Sequence, residues 1–334
     1  AASTALFNSP SRSVVDASGI IYVADQYNHR IRKVYSNGMV TTLAGSGTMG
    51  YQDSNSTQSQ FNEPTDLALS PSTQKLYVAD SKNHRIRMID LSKSMSDPLF
   101  VTTIAGGSTV GGTCGGIASG TCNDGAASQA QFNEPNGLAL DDAGQMVFVA
   151  DMRNHRIRKI NIATTQVTTF AGGSTAGGTC TGTPSQCVDG TVTEARFWNP
   201  AGLAFSTSGN IYVADKSNQR IRQITPSAVV TTFAGGSTAG GTTCAGISNT
   251  ANCKNGDGTA AQFNNPDDVD VVGTAVLVAD QTNQRIRKVI IGSPFTVTTI
   301  AGSGTAGHQD GAASTALFRM PTGVQEYQQQ LLHT

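Results

Sequence analysis

A thirteen-residue phrase recurs five times along this chain, and it constrains the fold more than any other feature of the sequence. Its first copy reads YVADQYNHRIRKV. The copies begin at Tyr22, Tyr77, Phe148, Tyr212 and Leu277. Two other phrases recur in step with it: VTTLAG, first at Val40, and a phenylalanine followed three residues later by a proline, first at Phe7. A fixed period is typical of repeat architectures, in which similar units share one continuous core.

Each unit contains four short apolar segments separated by turn residues. In the first unit these are SVVD, IIYVA, IRKVY and VTTLA, four or five residues long and rich in Val, Ile, Tyr and Thr. Such segments are typical of β-strands, and Gly19 and Gly38 mark tight turns between them. No helical periodicity is present. Four antiparallel strands per unit, repeated around an axis, predict an all-β fold, a β-propeller of four-stranded blades.

The same phrases resemble the NHL repeat. Residues 28–31, 83–86 and 154–157 spell Asn-His-Arg-Ile after Val-Ala-Asp, and PNGLAL at Pro135 matches the start of an NHL blade. The resemblance covers almost the whole chain and implies a β-propeller, usually of six blades. It implies no single function, because the family includes RNA-binding domains, sensor domains, adhesion-receptor modules and an amidating lyase.

The number of blades follows from the number of complete units. The units occupy about residues 7–60, 61–131, 132–196, 197–262 and 263–317. They predict one propeller domain over residues 1–328 and a C-terminal tail at 329–334. PTGVQEYQ at 321–328 supplies one extra C-terminal strand, and AASTALF occupies both 1–7 and 312–318. Either five blades close alone, which the count favours, or a sixth blade is completed by strands from missing sequence or another subunit.

The six cysteines form three local pairs. The predicted disulfides are Cys114–Cys122, Cys180–Cys187 and Cys244–Cys253. Isolated local pairs are typical of an oxidising compartment, and zinc is disfavoured because no histidine lies beside them. The alternative is three pairs of free thiols. The pattern predicts a secreted, extracellular protein, and NST at Asn55 is a candidate N-glycosylation site.

Charge and hydropathy exclude two classes of partner. The formal net charge is −1 and 13% of residues are charged, so no basic surface is expected to bind nucleic acid. No apolar run approaches the roughly 18 residues of a membrane span. No signal peptide is visible, but a mature secreted chain would already have lost it.

Three consecutive connectors, the stretches between an outer strand and the next inner strand, are long. From the alanine of the Ala-Gly pair to the next phenylalanine is 17 positions in the first and last units, but 27, 26 and 29 in the middle three. Such loops emerge on one face of a propeller, where disulfide-pinned loops would form a raised crescent. Trp198, the only tryptophan, follows one of them and is a candidate to stack on a sugar or anchor a partner protein. The alternative for the disulfides is that they only constrain long insertions. The alternative for Trp198 is that it only packs beneath its loop.

The entrance of each inner strand differs between units. Two residues after each proline come Arg12, Asp66, Gly137, Gly202, Asp268 and Gly323. Asp267 and Asp270 add charge to the fifth unit. Closure of the ring would bring Arg12, Asp66, Asp268 and Asp270 to one mouth of the central channel. Carboxylates there could hold a calcium ion, and no other cofactor is expected. The alternative is an Arg–Asp cluster that neutralises itself.

The recurrent polar residues are predicted to serve the scaffold. The aspartate of each Val-Ala-Asp is expected to accept backbone N–H groups of the turn that follows. His29, His84 and His155 share a position with Gln219 and Gln284, and glutamine is a poor zinc ligand, so we expect a hydrogen-bonding role in the turn. A loop role is expected for the Asp or Asn found eight residues before each later phenylalanine, which are Asp53, Asp124, Asp189, Asn255 and Asp310.

The sequence contains no nucleophile elbow, zincin or P-loop motif. It therefore predicts a non-enzymatic propeller that binds a protein or glycan, or acts as a scaffold, through the loop-bearing face. One alternative is a structural subunit of an extracellular homo-oligomer or filament, completed by strand or edge exchange. A further alternative is a metal-dependent hydrolase or lyase at the channel that uses Asp66, Asp268 and Asp270.

Overall fold

Each repeat unit folds into one antiparallel sheet whose four main strands are consecutive in the chain. The computed structural model describes residues 5–106, 124–172, 188–235, 255–258, 260–292 and 295–325. The five sheets, called blades one to five in chain order, form a five-bladed β-propeller in which consecutive inner strands are neighbours. The prediction of an all-β propeller with five complete blades is confirmed.

The four main strands run in chain order from the inner to the outer edge of each blade, and the short strands β9, β14 and β19 pair with the outermost one. Blade one contains β1 (Pro10–Val15), β2 (Ile21–Asp25), β3 (Arg30–Val34) and β4 (Val40–Ala44), and blade two contains β5 (Pro64–Ser70), β6 (Lys75–Asp80), β7 (Arg85–Asp90) and β8 (Val101–Ala105). Blade three contains β9 (Gly125–Ala126), β10 (Pro135–Leu140), β11 (Met146–Asp151), β12 (Arg156–Asn161) and β13 (Gln166–Ala171). Blade four contains β14 (Gly190–Thr191), β15 (Pro200–Phe205), β16 (Ile211–Asp215), β17 (Arg220–Ile224) and β18 (Val229–Ala234). Blade five contains β19 (Gly256–Asp257), β20 (Pro266–Val272), β21 (Ala275–Asp280), β22 (Arg285–Ile290) and β23 (Thr296–Ala301).

The hydrophobic core lies between the blades. At the junction of blades one and two, Tyr22 and Ala24 pack with Leu76 and Val78. The same combination of residue positions recurs at the next three junctions. Successive residues of a strand point to opposite faces, so a middle strand covered on both faces needs apolar residues throughout. This explains why the second strands read IYVA rather than alternating with polar residues.

Short strands from the connectors cover the outer edges of the blades. The connector that leaves blade two contributes β9, in which Gly125 pairs with Val167 of the outer strand of blade three. The strands β14 and β19 do the same for blades four and five. In blade two, a single bridge from Ser54 to Val101 takes this place. Such covering is a common protection of edge strands against aggregation.

The turn between the second and third strands has one geometry in all five blades. In blade one, Gln26–Asn28 forms a 3-10 turn that ends at His29 with a φ of 52°. The expectation that the preceding aspartate caps this turn's own backbone is wrong. Asp25 is fully buried, and its Oδ1 accepts the N–H of Asn8, 2.8 Å away, at the entrance of the blade. Its Oδ2 accepts the side-chain amide of Asn28, so the carboxylate ties the entrance of the blade to the turn.

The glycine of each Ala-Gly pair allows a connector to leave at a point of close packing. Gly106 has a φ of 91°, and a Cβ atom placed on it would lie 2.5 Å from the carbonyl oxygen of His84 and 3.1 Å from the ring of Phe132. Gly45 and Gly302, on the short connectors, make the same approach as the glycines on the long ones. Glycine is therefore required here for both its backbone conformation and its size.

Residues 321–325 lie between the first and the last inner strand without forming a regular strand. Thr322 Oγ1 donates a hydrogen bond to the carbonyl oxygen of Ser11 in β1, 3.3 Å away. On the other side, the N–H of Val324 donates to Asp268 Oδ2 in β20 at 3.0 Å. The remainder of the predicted extra strand and the predicted tail lie outside the described residues. Among the residues that are described, no helix is long and apolar enough to cross a membrane.

Candidate functional site

The inner strands approach one another most closely at the residue two positions after the proline. A Cβ atom on Gly137 would lie 2.1 Å from the carbonyl oxygen of Ala201 in the next blade. One on Gly202 would lie 2.3 Å from Asp268 Oδ1. Blades three and four therefore need glycine at this position. The space near the axis is occupied by side chains from the other blades.

Arg12 occupies that space and reaches three other blades. Its Nη1 donates to Asn136 Oδ1 in blade three at 2.9 Å, and its Nη2 donates to the carbonyl oxygen of Asp267 in blade five at 2.5 Å. Its Nε lies 3.1 Å from Asp268 Oδ1, and its Nη1 lies 3.8 Å from Asp66 Oδ2 in blade two. The Arg12 side chain is only 3% exposed. The guanidinium therefore lies near the propeller axis and links blades one, two, three and five.

Asp66 and Asp268 also fix the neighbouring inner strands. Asp66 Oδ2 accepts the N–H of Leu138 at 2.7 Å, as Asp268 Oδ2 accepts that of Val324. Burial raises the pKa of Asp66 to about 6, although the nearby Arg12 charge opposes the shift. Burial raises the pKa of Asp268 as well, again against the field of Arg12. The two carboxyl groups are thus tied to backbone amides in a poorly solvated environment.

The structure brings Arg12, Asp66, Asp267 and Asp268 together, and it places Asp270 further along the channel wall. Asp270 lines the channel two residues further along β20, where its Oδ1 accepts the N–H of Val271 at 2.9 Å. In the described part of the chain, no three His, Cys, Asp or Glu side chains form a group that could hold a metal ion. Arg12 lies within 4 Å of the carboxylates of Asp66, Asp267 and Asp268, so the four residues form an Arg–Asp cluster.

Two members of this cluster were missed from the sequence. Lys216, in the turn after β16, forms an ion pair with Asp267. Asn136 accepts a hydrogen bond from the Arg12 guanidinium, as described above. Lys216 could have been noticed, because the other units have Gln26, Ser81, Met152 and Gln281 at its position. Asn136 gave no such signal, since its partner is 124 residues away in the sequence.

Beside the cluster, the channel forms an open cavity of about 230 Å³. Its walls include Leu67, Leu138 and Leu203 from three successive inner strands, and Arg12, Asp66 and Asp268 of the cluster also line it. Asp270 and Gln325 are polar residues along the same wall. A cavity of this volume is below the usual 300–1,000 Å³ of a site for a drug-sized ligand.

The histidine and glutamine residues of the turns link consecutive blades. Nδ1 of His84 accepts the N–H of Glu134 at 3.0 Å, and Nδ1 of His155 accepts that of Asn199 at the same distance. In blade four, Gln219 Oε1 takes the place of the imidazole nitrogen and accepts the N–H of Asn265. We call this hydrogen bond the turn clip. It requires a neutral imidazole, because a protonated ring has no acceptor.

Acidification should open the clip of His155. Burial, helped by Arg153 and Arg156, lowers the pKa of His155 from 6.5 to about 4. A lowered histidine pKa contributes stability above pH 6.5 that is lost as pH falls towards 4. His155→Gln, which uses the residue of blades four and five, should keep the clip without this pH dependence. Between pH 7 and pH 4.5 the wild type should lose about 2 kcal/mol more of its unfolding free energy than the variant in urea titrations. Parallel pH profiles of the two proteins would contradict the role assigned to His155.

The second arginine of the phrase and the loop aspartate form the other recurrent network. Arg87, which is fully buried, donates to Asp80 at 2.8 Å in its own blade and to Asp53 at 2.6 Å in the incoming connector. Asp53 also accepts the N–H of Thr103 in the outer strand. Asp124 and Asp189 repeat this arrangement in the next two blades. The recurrent Asp is therefore a structural link, as expected.

The remaining predicted residues lie apart from the channel. Trp198 is partly buried on the face that carries the turns, where its carbonyl oxygen accepts the N–H of Ser217 at 3.1 Å. Asn55 is partly exposed in the first connector, and its Oδ1 accepts the N–H of Gln58 at 3.1 Å. The three predicted disulfides, Cys114–Cys122, Cys180–Cys187 and Cys244–Cys253, lie outside the described residues.

Two family models match parts of the chain. The model of the teneurin NHL domain matches residues 58–175, and that of the NHL repeat matches residues 197–224.

Curated relatives align with about two thirds or more of the chain. "Protein SUPPRESSOR OF QUENCHING 1, chloroplastic" of Arabidopsis thaliana is 28% identical over 288 residues, which cover 66% of this chain and 25% of that protein. "NHL repeat-containing protein 2" of Bos taurus is 26% identical over 351 residues, covering 83% of this chain and 46% of that protein. The chain thus spans less than half the length of these relatives.

A solved structure agrees with the architecture. It is a structural genomics protein of unknown function from Bacteroides thetaiotaomicron, with a TM-score of 0.64 over 96% of this chain and 64% of that chain. The two sequences are 16% identical, so the likeness concerns the fold alone.

Proposed function

This chain belongs to the NHL-repeat family of β-propellers, and from that premise we propose that it is a non-enzymatic, extracellular binding or scaffold module. It holds a protein or glycan through the long connectors on one face. The observation that carries this proposal is that the described ends of short and long connectors make the same contacts with the scaffold.

The scaffold needs only a short connector. On the short first connector, the N–H of Gly45 donates to the carbonyl oxygen of Ser56 at 2.9 Å. On a long connector, the N–H of Gly172 donates to the carbonyl oxygen of Val192, also at 2.9 Å. The first spans 17 positions from Ala44 to the next phenylalanine, and the second spans 26 from Ala171. The described ends of the two connectors thus meet the blades in the same way although one connector is nine positions longer, and this supports a role of the extra residues in binding.

The long connectors leave the propeller on the face of the turns. Gly106 and Gly172 lie against the carbonyl oxygens of His84 and His155, at the ends of those turns. Trp198 is on the same face, beside the turn of blade four. An aromatic side chain next to loops held on a rigid sheet is a common element of protein and glycan recognition.

The channel mouth supports the non-enzymatic part of the proposal. Asp66 and Asp268 already interact with Arg12 and with backbone amides of neighbouring strands. A catalytic carboxylate needs a free oxygen within reach of its substrate. A buried cluster whose charges are paired with one another is more typical of a structural link.

Shortening a long connector tests the proposal. In the variant, residues 173–188 are replaced by the sequence of residues 46–52, which joins the equivalent Gly45 and Asp53 in the first unit. The wild type and the variant are applied to a printed glycan array and to an array of extracellular protein domains. We expect the variant to lose at least tenfold in binding to the ligands that the wild type selects, with an unchanged circular dichroism spectrum and Tm.

The matched control is the same replacement at residues 107–123, between Gly106 and Asp124. Unaltered binding by both shortened proteins would refute the role of the loops. Alkylation of the native protein by iodoacetamide accompanies the test, because loops closed by disulfides leave no free thiol. Full alkylation of all six cysteines would remove the support for an extracellular location.

A further inference from the structure

An open pocket lies between the first connector and blade two, and it shares no lining residue with the channel. Its volume is about 750 Å³, within the roughly 300–1,000 Å³ that is usual for a small-molecule site. Tyr51 and Gln60 of the connector line it together with Thr103 and Ile104 of β8. Arg85, the first residue of β7, also lines it. We call this cavity the Tyr51 pocket.

Tyr51 distinguishes this connector from the others. The equivalent position, two residues before the recurrent Asp or Asn, is occupied by Cys122, Cys187 and Cys253 in the long connectors and by His308 in the last one. Tyr51 is 56% exposed, so its ring does not serve the hydrophobic core. In a repeat protein the scaffold is built from residues that all units share, and a residue that one unit alone carries is a candidate for an added function.

The backbone on both sides of Tyr51 is held in place. The side-chain amide of Asn83 donates to the carbonyl oxygen of Gly50 at 2.6 Å. The carbonyl oxygen of Gln52 accepts a hydrogen bond from Arg87 Nη2 at 3.0 Å. A ring that is positioned in this way loses little conformational freedom when a ligand stacks on it, which favours binding.

Arg85 brings a cation with free donor groups to the pocket. Its guanidinium carbon lies 4.2 Å from the centre of the Tyr51 ring. The equivalent Arg30 of blade one donates a hydrogen bond to the carbonyl oxygen of Ser46 at 3.0 Å. Among the residues that the structure describes, Arg85 has no hydrogen-bond acceptor and no carboxylate partner. Its fork of N–H groups can therefore receive the carboxylate of a ligand.

Asp53 is the other charged side chain that lines the Tyr51 pocket in the described part of the chain, and its charge is already paired. Its Oδ1 lies 2.6 Å from Arg87 Nη2 and accepts a hydrogen bond from Thr103 Oγ1 at 3.0 Å. The Asp53 side chain is nevertheless 43% exposed, so the carboxylate can accept a further hydrogen bond from a hydroxyl group. The pocket thus combines a cation for an anion, an aromatic face and an acceptor for hydroxyl groups.

We propose that the Tyr51 pocket binds a hexuronic acid residue of an acidic glycan. The sugar carboxylate pairs with the Arg85 guanidinium, the apolar side of the sugar ring stacks on Tyr51, and a ring hydroxyl donates to Asp53. A neutral sugar gives Arg85 no anion, and an acidic peptide gives no rigid ring with hydroxyl groups for Tyr51 and Asp53. Because described residues of the first connector and blade two form this site, it goes beyond the role proposed for the long connectors and does not rest on it.

Calorimetric titration of the native protein tests the choice of ligand. The probes are tetragalacturonate, its fully methyl-esterified form and tetraglutamate. We expect saturable binding of tetragalacturonate and an affinity lower by about tenfold or more for the ester, because esterification removes the charge but keeps the rings. Tetraglutamate should bind no better than the ester. These comparisons use the wild type alone, so they do not depend on the folding of any variant.

Paired variants assign the binding to the Tyr51 pocket. Arg85→Gln should weaken tetragalacturonate binding by about tenfold or more, whereas Arg220→Gln, at the equivalent position of blade four, should leave it unchanged. Tyr51→Ala should also weaken binding, whereas Tyr51→Phe keeps the ring and should retain it. Circular dichroism verifies that each variant is folded. The protein shortened at residues 173–188 should bind tetragalacturonate like the wild type, which separates this inference from the proposal for the long connectors.

Four results would overturn the inference. The first is a wild type that does not bind tetragalacturonate at millimolar concentration. The second is equal affinity for the acid and its methyl ester. The third is an equal effect of Arg85→Gln and Arg220→Gln, because binding then follows net charge and not the pocket. The fourth is equally tight binding of tetraglutamate, which would assign the pocket to an acidic peptide.

Discussion

Replacing Arg12 by methionine should lower the free energy of unfolding by about 4 kcal/mol at pH 7. Methionine keeps an unbranched apolar stem, but it leaves Asp66, Asp267 and Asp268 buried with one fewer cation. Breaking a buried ion pair from one side is costly because the remaining charge cannot be solvated. Urea titration followed by circular dichroism measures the change.

The pH dependence separates this electrostatic effect from a simple packing defect. Asp66 has a pKa raised to about 6, so its stabilising contribution is fully present below pH 3.8 and is lost as pH rises through 6. Without Arg12 the pKa rises further, because the favourable field has been removed. The cost of Arg12→Met should therefore shrink between pH 7 and pH 5. The matched triple variant with Asp66→Asn and Asp268→Asn should recover much of the loss, and failure of both expectations would reject the cluster as a charge-coupled link.

Replacing Gly106 by alanine should cost about 4 kcal/mol, the second large effect. Alanine at a φ of 91° is strained by roughly 1–2 kcal/mol. Its Cβ atom would also lie 2.5 Å from the carbonyl oxygen of His84, so the backbone of the turn or the connector must move. Displacement of this turn would disturb the turn clip to Glu134 and thereby the contact between blades two and three. Thermal and urea unfolding measure the loss.

Gly273 provides the matched control in the same protein. It has a φ of 55°, and a Cβ atom on it would meet nothing within 4 Å. Gly273→Ala should therefore cost only about 1 kcal/mol, which is the conformational strain alone. Equal losses for the two variants would show that close packing at Gly106 has no role beyond its backbone conformation.

The repeated phrase predicted the scaffold well because every unit uses the same strands, turns and short-range contacts. The period of the phrase, the apolar second strands and the turn residues predicted five four-stranded blades. Comparison of His84 with Gln219 correctly indicated a hydrogen-bonding role in the turn. The partner of Asp25 was predicted wrongly, because the turn closes with its own backbone atoms while the carboxylate faces the entrance of the blade.

The channel mouth was only partly predictable. Asp66 and Asp268 were predicted as candidate residues because they depart from the glycines at the same position in other units. Lys216 and Asn136 were not predicted, because their contacts with the cluster depend on the radial arrangement of blades three, four and five. Nor could the sequence show that the Arg12 side chain contacts residues of blades two, three and five.

The sequence by itself determined the type of strand, the number of complete units and the residues that hold each unit together, because these depend on contacts that recur at short and regular separations. Only the tertiary structure decided which charged side chains meet at the axis and which side chains line the Tyr51 pocket. Those features depend on how the blades and connectors are placed around the ring. A side chain such as Arg12 finds a partner 255 residues away, and no local pattern encodes that distance.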